Sequence, residues 1–239
     1  RIQTSWKNLK FGTVVRRERD KRMYFDLFTG RDGITGLRKF FLLHFSNKVK
    51  IFNGMDNLFE PFKYEHDFVK SELLKIINPY HINKAKQFDS NSVALHIRMG
   101  DFQIPDNERV LRNGHWNYRL PVEWYKSIIK KIRNECNFPI YVFSDGSDQD
   151  LKDILKLEHC SRVYFGSAIS DMLALSSAKL LVSSASTFSM WASFLGQIPT
   201  IWFPGQMRQQ LINDTTIFEG EIDYDDELSE SIIRILHHD

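Results

Sequence analysis

The feature that most constrains the fold is a regular alternation of short apolar runs and longer helical segments from residue 92 onward. Strand and helix alternate five times over this half of the chain, which is typical of a parallel sheet covered by helices. We predict strands over residues 93–97, 140–143, 162–165, 180–183 and 199–203. We predict helices over residues 121–134, 147–157, 170–178, 187–195 and 227–236.

The first third of the chain lacks this regularity. We predict strands over residues 23–28 and 48–52, a helical apolar cluster over 36–45 and a helix over 67–77. We therefore divide the chain into a smaller N-terminal lobe, residues 1–88, and a Rossmann-like α/β domain with helices on both faces, residues 89–239. Residues 1–22 are basic, and we interpret them as solvated surface; attraction to an anionic membrane face is the alternative.

Composition excludes several classes of protein. With 42% hydrophobic and 26% charged residues in 239, the chain is globular rather than disordered. A net charge of +2 does not indicate a nucleic-acid partner. The two cysteines have no metal-site spacing, and no apolar run is long enough to span a bilayer. We therefore predict a cytoplasmic protein with reduced thiols, in peripheral contact with the membrane only if residues 1–22 attract it.

Polar side chains follow the first strand of the regular half. His96, Arg98 and Asp101 lie at or just past its carboxyl end, where open α/β sheets bind ligands. An arginine fork suits a phosphate or diphosphate because it gives bidentate, permanently charged hydrogen bonds. The alternative is an Arg–Asp pair that closes the end of the strand.

A second candidate is the hydroxyl-rich segment 183–189, where a helix is predicted to begin. Hydroxyls and unpaired N–H groups at a helix N-terminus favour an anion. Ordinary capping by Ser186 or Thr187 is the alternative, but capping requires a single hydroxyl. We therefore favour phosphate contact.

Polar residues near the ends of other predicted strands and helices are weaker evidence for a ligand site. Asp171 lies in the first turn of a predicted helix, where it complements the helix dipole or contacts a nucleoside. Ser144 and Asp145 follow a strand and form either a turn or a ligand contact. The two Asp-x-Asp strings, 148–150 and 223–225, lie away from the strand ends. We interpret them as solvated acids, so no metal site is predicted.

Three segments together resemble a known family. HIRMGDF (residues 96–102) resembles the HxRRxD-type motif of α1,2-, α1,6- and protein O-fucosyltransferases, and YVFSDG (141–146) resembles their second block. Residues 171–196 resemble the third block, whose core often reads NSTFSWW. The order and spacing best match the α1,2-fucosyltransferase family, over about residues 90–203.

The resemblance implies a GT-B-like, two-lobed glycosyltransferase that moves L-fucose from GDP-fucose to a glycan hydroxyl with inversion and without a metal or other cofactor. It implies that Arg98 grips the diphosphate, with His96 beside it. It further implies that the remaining nucleotide-sugar contacts come from Ser144, Asp145, Asp171, Ser186, Thr187 and Phe188.

The sequence departs from the family pattern at three positions and at its start. Met99 replaces the usual second arginine, Ala185 stands where Asn is common, and Met190 replaces the first Trp. The glycine-rich GGLGNQ-like start is absent. These departures leave two alternatives open: a transferase for another nucleotide sugar, or a degenerate nucleotide-binding module without catalysis.

An inverting transferase needs a general base near the acceptor hydroxyl. We predict Asp101 as that base, with Glu108 and His115 in the loop behind it. The expected partners are GDP-fucose and a glycan acceptor, such as a precursor of a bacterial surface polysaccharide.

Overall fold

A computed structural model describes residues 58–60 and 62–237 of the chain. The chain divides into two compact units, residues 1–62 and 63–239, and the helices and strands given below belong to the second. The strands expected over 23–28 and 48–52, the apolar cluster over 36–45 and the basic segment 1–22 lie outside the described residues. The predicted lobe boundary at residue 88 stays a prediction.

The described helices and strands follow the alternating order that the sequence predicts. The helices are α1 (His66–Ile76), α2 (Pro79–Ala85), α3 (Glu108–Arg112), α4 (Val122–Glu135), α5 (Lys152–Leu155), α6 (Ala168–Leu175), α7 (Thr187–Gly196) and α8 (Glu230–His237). The strands are β1 (Val93–Ile97), β2 (Ile140–Ser144), β3 (Cys160–Arg162), β4 (Leu180–Val182), β5 (Thr200–Trp202) and β6 (Glu219–Glu221).

Within the described residues, six strands form one parallel sheet in the order β3-β2-β1-β4-β5-β6. Val93 pairs with Ile140 on one side and with Leu180 on the other. The chain runs outward from β1 to β3 and then returns to start again at β4. The reversal creates a topological switch point between β1 and β4, whose carboxyl ends form the crevice where such sheets bind ligands. The predicted Rossmann-like α/β fold is confirmed.

Burial on both faces explains why the central strands are continuous apolar runs. Every residue of β1 and β4 is buried, as expected of parallel strands covered by helices on both sides. On one face, Ala94, Phe143 and Leu181 join a core cluster with residues of α6 and α7. The helices pack in two groups, α4 with α5 and α8, and α6 with α2 and α7. These helices fix the strand ends that carry the candidate site.

Several boundaries differ from those predicted. The helix expected over 147–157 is limited to α5; residues 148–151 form turns, in which Asp150 accepts hydrogen bonds from the N–H and O–H groups of Ser147 at 2.9 and 2.6 Å. The strand expected over 162–165 begins and ends earlier, as β3 (Cys160–Arg162). The helix expected from residue 170 begins earlier, because Ser167 caps it by accepting from the Ser170 N–H at 3.2 Å.

No helix in residues 58–60 and 62–237 is both long and apolar enough to cross a membrane. The expected cytoplasmic location and the membrane contact of residues 1–22 stay predictions.

Candidate active site at the switch point

His96 connects the end of β1 to the segment that follows β4. Side chains alternate along a strand, so His96 points to the same face as Ala94, toward α7. Its Nδ1 lies 2.6 Å from Ser189 Oγ and 2.8 Å from Ser184 Oγ. The Phe188 ring lies against the imidazole, with 5.0 Å between ring centroids. The structure therefore brings together two of the predicted site residues, His96 and Phe188.

The environment of His96 keeps its imidazole neutral. The pKa of His96 is lowered to about 4, mainly because the imidazole is buried; Asp145 offsets part of this effect, and the nearby Arg98 adds a smaller lowering. Its Nε2 has no hydrogen-bond partner among the described residues, whereas Nδ1 contacts the serine hydroxyls. A neutral imidazole can donate at one nitrogen while it accepts at the other.

The serine-rich segment forms a tight connection from β4 into α7. Ser186 caps the helix by accepting from the Ser189 N–H at 3.3 Å. Ala185 has a φ of +59°, in the left-handed region that Asn and Gly adopt more readily than Ala. Thr187, the first residue of α7, is exposed. The alternative of capping is thus observed for Ser186, and it leaves the Thr187 hydroxyl at the surface of the same helix end.

The left-handed position of Ala185 gives a physical reason for the family's preference for Asn at that place. Its N–H donates to the Ser183 hydroxyl at 3.0 Å, which closes the turn. The tight turn aims the N-terminus of α7 at the crevice between β1 and β4.

Arg98 lies between two carboxylates. Nη2 is 2.6 Å from Asp101 Oδ1 and Nη1 is 2.5 Å from Asp145 Oδ2. Its guanidinium also lies over the Phe102 ring, 5.4 Å from the centroid. The Arg–Asp pair that the sequence left as an alternative is therefore present, in a form extended to a second aspartate.

Asp145 holds the backbone as well as the guanidinium. Its Oδ1 accepts from the Met99 N–H at 2.8 Å. A side chain on Gly100 would overlap this carboxylate and displace it. Met99 is buried, and this position therefore presents no second cation to the crevice.

Ser144 and Asp171 each accept a hydrogen bond from a backbone N–H group close by in the sequence. The Ser144 hydroxyl accepts from the Gly146 N–H at 3.0 Å. Asp171 Oδ1 accepts from the Phe165 N–H at 2.7 Å. Burial raises the pKa of Asp171, while this hydrogen bond lowers it. No contact joins either residue to His96 or Arg98 within the described residues, so their predicted contacts with the nucleotide stay predictions.

The three candidate bases differ in their surroundings. The Asp101 side chain is 76% exposed and pairs with Arg98. Glu108 accepts from the Tyr224 hydroxyl at 2.8 Å and lies 3.5 Å from an Arg112 nitrogen. His115 is exposed. Asp101 is the candidate that lies beside the switch point with an accessible carboxylate.

Three of the four aspartates in the two Asp-x-Asp strings have protein partners, since Asp150 accepts from Ser147 as described above. Asp148 lies 2.6 Å from an Arg162 nitrogen, and Asp223 pairs with Arg112 at 2.5 Å. In the part of the chain that the structure describes, no three metal-binding side chains cluster.

Sequence reasoning missed three contacts of His96 that position the site. Ser184 and Ser189 bind His96, although their segment was identified only as a phosphate site. The Tyr125 hydroxyl donates to the His96 carbonyl at 3.2 Å from the opposite side of the sheet. Tyr125 lies on the buried face of α4, and nothing in its spacing distinguishes it from an ordinary core residue.

A parallel sheet of this strand order, with polar groups at its switch point, is the architecture of nucleotide-binding α/β domains. The chain belongs to glycosyl transferase family 11, whose profile matches residues 36–207. The matched range contains all three motifs, and the predicted membership of the α1,2-fucosyltransferase family is confirmed. No curated protein matches the chain.

Two solved structures of POFUT1 are similar to the chain, one in complex with GDP and one with GDP-fucose. Each is 17% identical, with TM-scores of 0.41 and 0.38. The alignments cover 72% and 74% of this chain, and the chain spans 60% and 61% of the POFUT1 chains.

Proposed function

We propose that the protein transfers L-fucose from GDP-fucose to a glycan hydroxyl, forming an α1,2 linkage with inversion and without a metal. Family membership supports glycosyl transfer. The observation that carries the proposal is the convergence of His96, Arg98 and the N-terminus of α7 at one switch point. These groups offer the positive charge and hydrogen-bond donors that a departing diphosphate requires.

The ion pairs of Arg98 suggest how the donor binds. Asp101 is largely exposed, so its ion pair with Arg98 contributes less than about 1 kcal/mol. Asp145 is held more firmly, because it also accepts from the Met99 N–H. A diphosphate therefore replaces Asp101 on the guanidinium, while Asp145 keeps the arginine in position.

Release of Asp101 supplies the base. In the proposed step, the acceptor oxygen bonds to C1 of fucose and its proton passes to the Asp101 carboxylate. The bond from C1 to the β-phosphate oxygen breaks, and its electron pair leaves with GDP. Arg98 and the N-terminus of α7 stabilise the charge that develops there. One displacement of this kind inverts the anomeric centre.

His96 contributes a neutral donor in this scheme. We assign Nδ1 as the acceptor of a serine O–H, so Nε2 carries the proton. Nε2–H then donates to a phosphate oxygen without adding a charge to the buried strand end. The remaining predicted contacts complete the nucleotide site: Thr187, Phe188 and Ser186 near the phosphates, and Ser144, Asp145 and Asp171 toward the nucleoside.

The same scheme assigns a role to each of the two predicted domains. Residues 89–239 hold the nucleotide sugar, and residues 1–88 supply the acceptor side. The partners are GDP-fucose and a glycan.

Calorimetric titration of the full chain with GDP, GDP-fucose, GDP-mannose and UDP, each with and without EDTA, tests donor binding. We expect binding of the guanosine ligands alone, unchanged by EDTA. The variant Arg98→Ala should lose GDP binding, and the exposed-arginine control Arg109→Ala should keep it. Unchanged GDP affinity in Arg98→Ala would refute the diphosphate assignment.

Product formation tests the base. Asp101→Asn should keep GDP affinity and lose transfer to the acceptor, because the amide cannot take the proton. Full turnover by Asp101→Asn contradicts the assignment. Preferred binding of UDP would point to another nucleotide sugar, and GDP binding without transfer to any acceptor would point to a binding module.

A further inference from the structure

A second arginine, far from Arg98 in sequence, lies at the same edge of the sheet. Arg208 follows β5, and its guanidinium stacks on Trp116 in the loop after β1. The guanidinium carbon lies 3.0 Å from the centroid of the Trp116 ring, and Trp116 is 42% exposed. The proposed transfer step uses neither residue.

The two loops that carry this pair are fixed to each other. Gln206 Nε2 donates to the carbonyl oxygens of Leu111 at 2.5 Å and His115 at 3.2 Å. Gly205 packs so closely on the Arg112 backbone that a side chain there would overlap its carbonyl. These contacts hold the segment that carries Trp116 next to the segment that carries Arg208.

Arg208 has no acidic partner among the described residues. Arg98, Arg112 and Arg162 each lie within 2.6 Å of a carboxylate oxygen. Arg208 Nη1 is buried without a hydrogen bond. Its other two nitrogens have no partner within residues 58–60 and 62–237 and are not among the buried unsatisfied atoms there, so they are open to solvent.

A half-buried cation without a counter-ion is unfavourable, because its lost hydration is not replaced. Burial accordingly lowers the pKa of Arg208 to about 9. An anion on the open side of the guanidinium would supply the missing charge, and the ring beneath keeps the fork oriented. Stacked arginines of this kind suit planar, bidentate recognition of carboxylate or phosphate.

We propose that Arg208 and Trp116 form a recognition site for a carboxylate or phosphate group carried by the acceptor glycan. The assignment to the acceptor rests on the proposed function. Strands lie about 4.8 Å apart, so the ends of β1 and β5, separated by β4, are about 10 Å apart. In this proposal Arg98 holds the donor diphosphate, and Arg208 contacts a different anionic group. The exposed edge of Trp116 then offers an apolar surface for a sugar ring.

The indole N–H resonances of the full, nitrogen-15-labelled chain report on this site directly. The chain has five tryptophans, and the variant Trp116→Phe identifies the resonance of Trp116. We expect D-glucuronate and inorganic phosphate, titrated through the millimolar range, to shift this resonance saturably. The neutral probe methyl glucoside should not shift it.

Arg208→Gln should weaken the response to glucuronate about tenfold or more, the loss expected for a hydrogen bond to a charged group. Arg109→Gln removes an exposed arginine from a neighbouring segment and should leave the response intact. A wild-type resonance that does not shift, or an unchanged response in Arg208→Gln, overturns the site.

A repeat of the titration at saturating GDP separates the two sources of oxyanion. A glucuronate response that persists supports an acceptor group, whereas competition by GDP would assign Arg208 to the donor diphosphate and overturn the proposal. If the wild-type chain failed to bind GDP in calorimetry, the proposed transfer would be refuted. The titration without GDP would still decide whether the oxyanion site exists.

Discussion

The buried imidazole of His96 should make the stability of the fold depend on pH in a defined interval. Burial lowers the pKa of His96 to about 4 in the folded chain, against an ordinary value of 6.5. Between these two values the unfolded chain binds a proton that the folded chain does not. The stabilising contribution is therefore complete above pH 6.5 and is lost as the pH falls toward 4.

The magnitude follows from that interval. Each pH unit is worth about 1.4 kcal/mol, so the interval from 6.5 to about 4 corresponds to about 3 kcal/mol in the free energy of unfolding. Such a change is a large fraction of the total stability of an ordinary domain.

Urea denaturation at a series of pH values from 4 to 7 measures this effect. His96→Asn keeps a polar group near the serine hydroxyls but cannot titrate. The variant will be less stable than the wild type near neutrality, and we expect the difference to shrink by about 1.4 kcal/mol per pH unit below 6.5. The slope of the free energy of unfolding against pH reports the titration of His96, whereas the pH-independent cost of the substitution shifts the whole curve.

The exposed histidine variant His115→Asn serves as the control and should follow the wild-type curve. If the His96→Asn curve ran parallel to the wild-type curve over the whole range, the buried neutral imidazole would not be the source of the pH dependence.

Further predictions concern glycines and metal. Gly205→Ala should destabilise the fold by about 2–3 kcal/mol in urea denaturation, because it adds a clash with the Arg112 backbone to an unfavourable backbone angle at a φ of +80°. Gly166→Ala, with a φ of +87° and no atom within 4 Å of the added carbon, should lose only about 1 kcal/mol, and equal losses would refute the clash. Gly100→Ala should displace Asp145 and weaken GDP binding in calorimetry more than tenfold. Unchanged affinity would show that Asp145 is not needed for GDP binding. Exhaustive chelation with EDTA should leave transfer unchanged, and activity restored only by added metal would contradict the metal-free scheme.

The centre of the fold could be predicted because its strands are buried on both faces. β4 is an uninterrupted apolar run, β1 is apolar except for His96, and both appear where expected. β6 could not be predicted, because Glu219–Glu221 is a polar segment at the edge of the sheet, and its place depends on backbone pairing with β5.

The candidate site was predictable as a set of segments, but not as a set of contacts. His96 and Arg98 mark the end of β1 in the sequence, and the hydroxyl-rich segment marks the start of α7. The ion pair of Arg98 with Asp145 joins residues from different strands, and the stacking of Arg208 on Trp116 joins loops after β1 and β5. Such pairs arise from strand order, which apolar periodicity does not encode.

The order of synthesis gives the strand arrangement a further consequence. On the ribosome, β1, β2 and β3 are synthesised in that order, all of them before β4. The crevice between β1 and β4 cannot form until residues 180–182, which make β4, have been synthesised. The loop after β1 must wait longer, because its anchor, Gln206, lies 95 and 91 residues beyond its two partner carbonyls, those of Leu111 and His115. A nascent chain of this protein therefore completes the candidate site only when most of the domain has been translated.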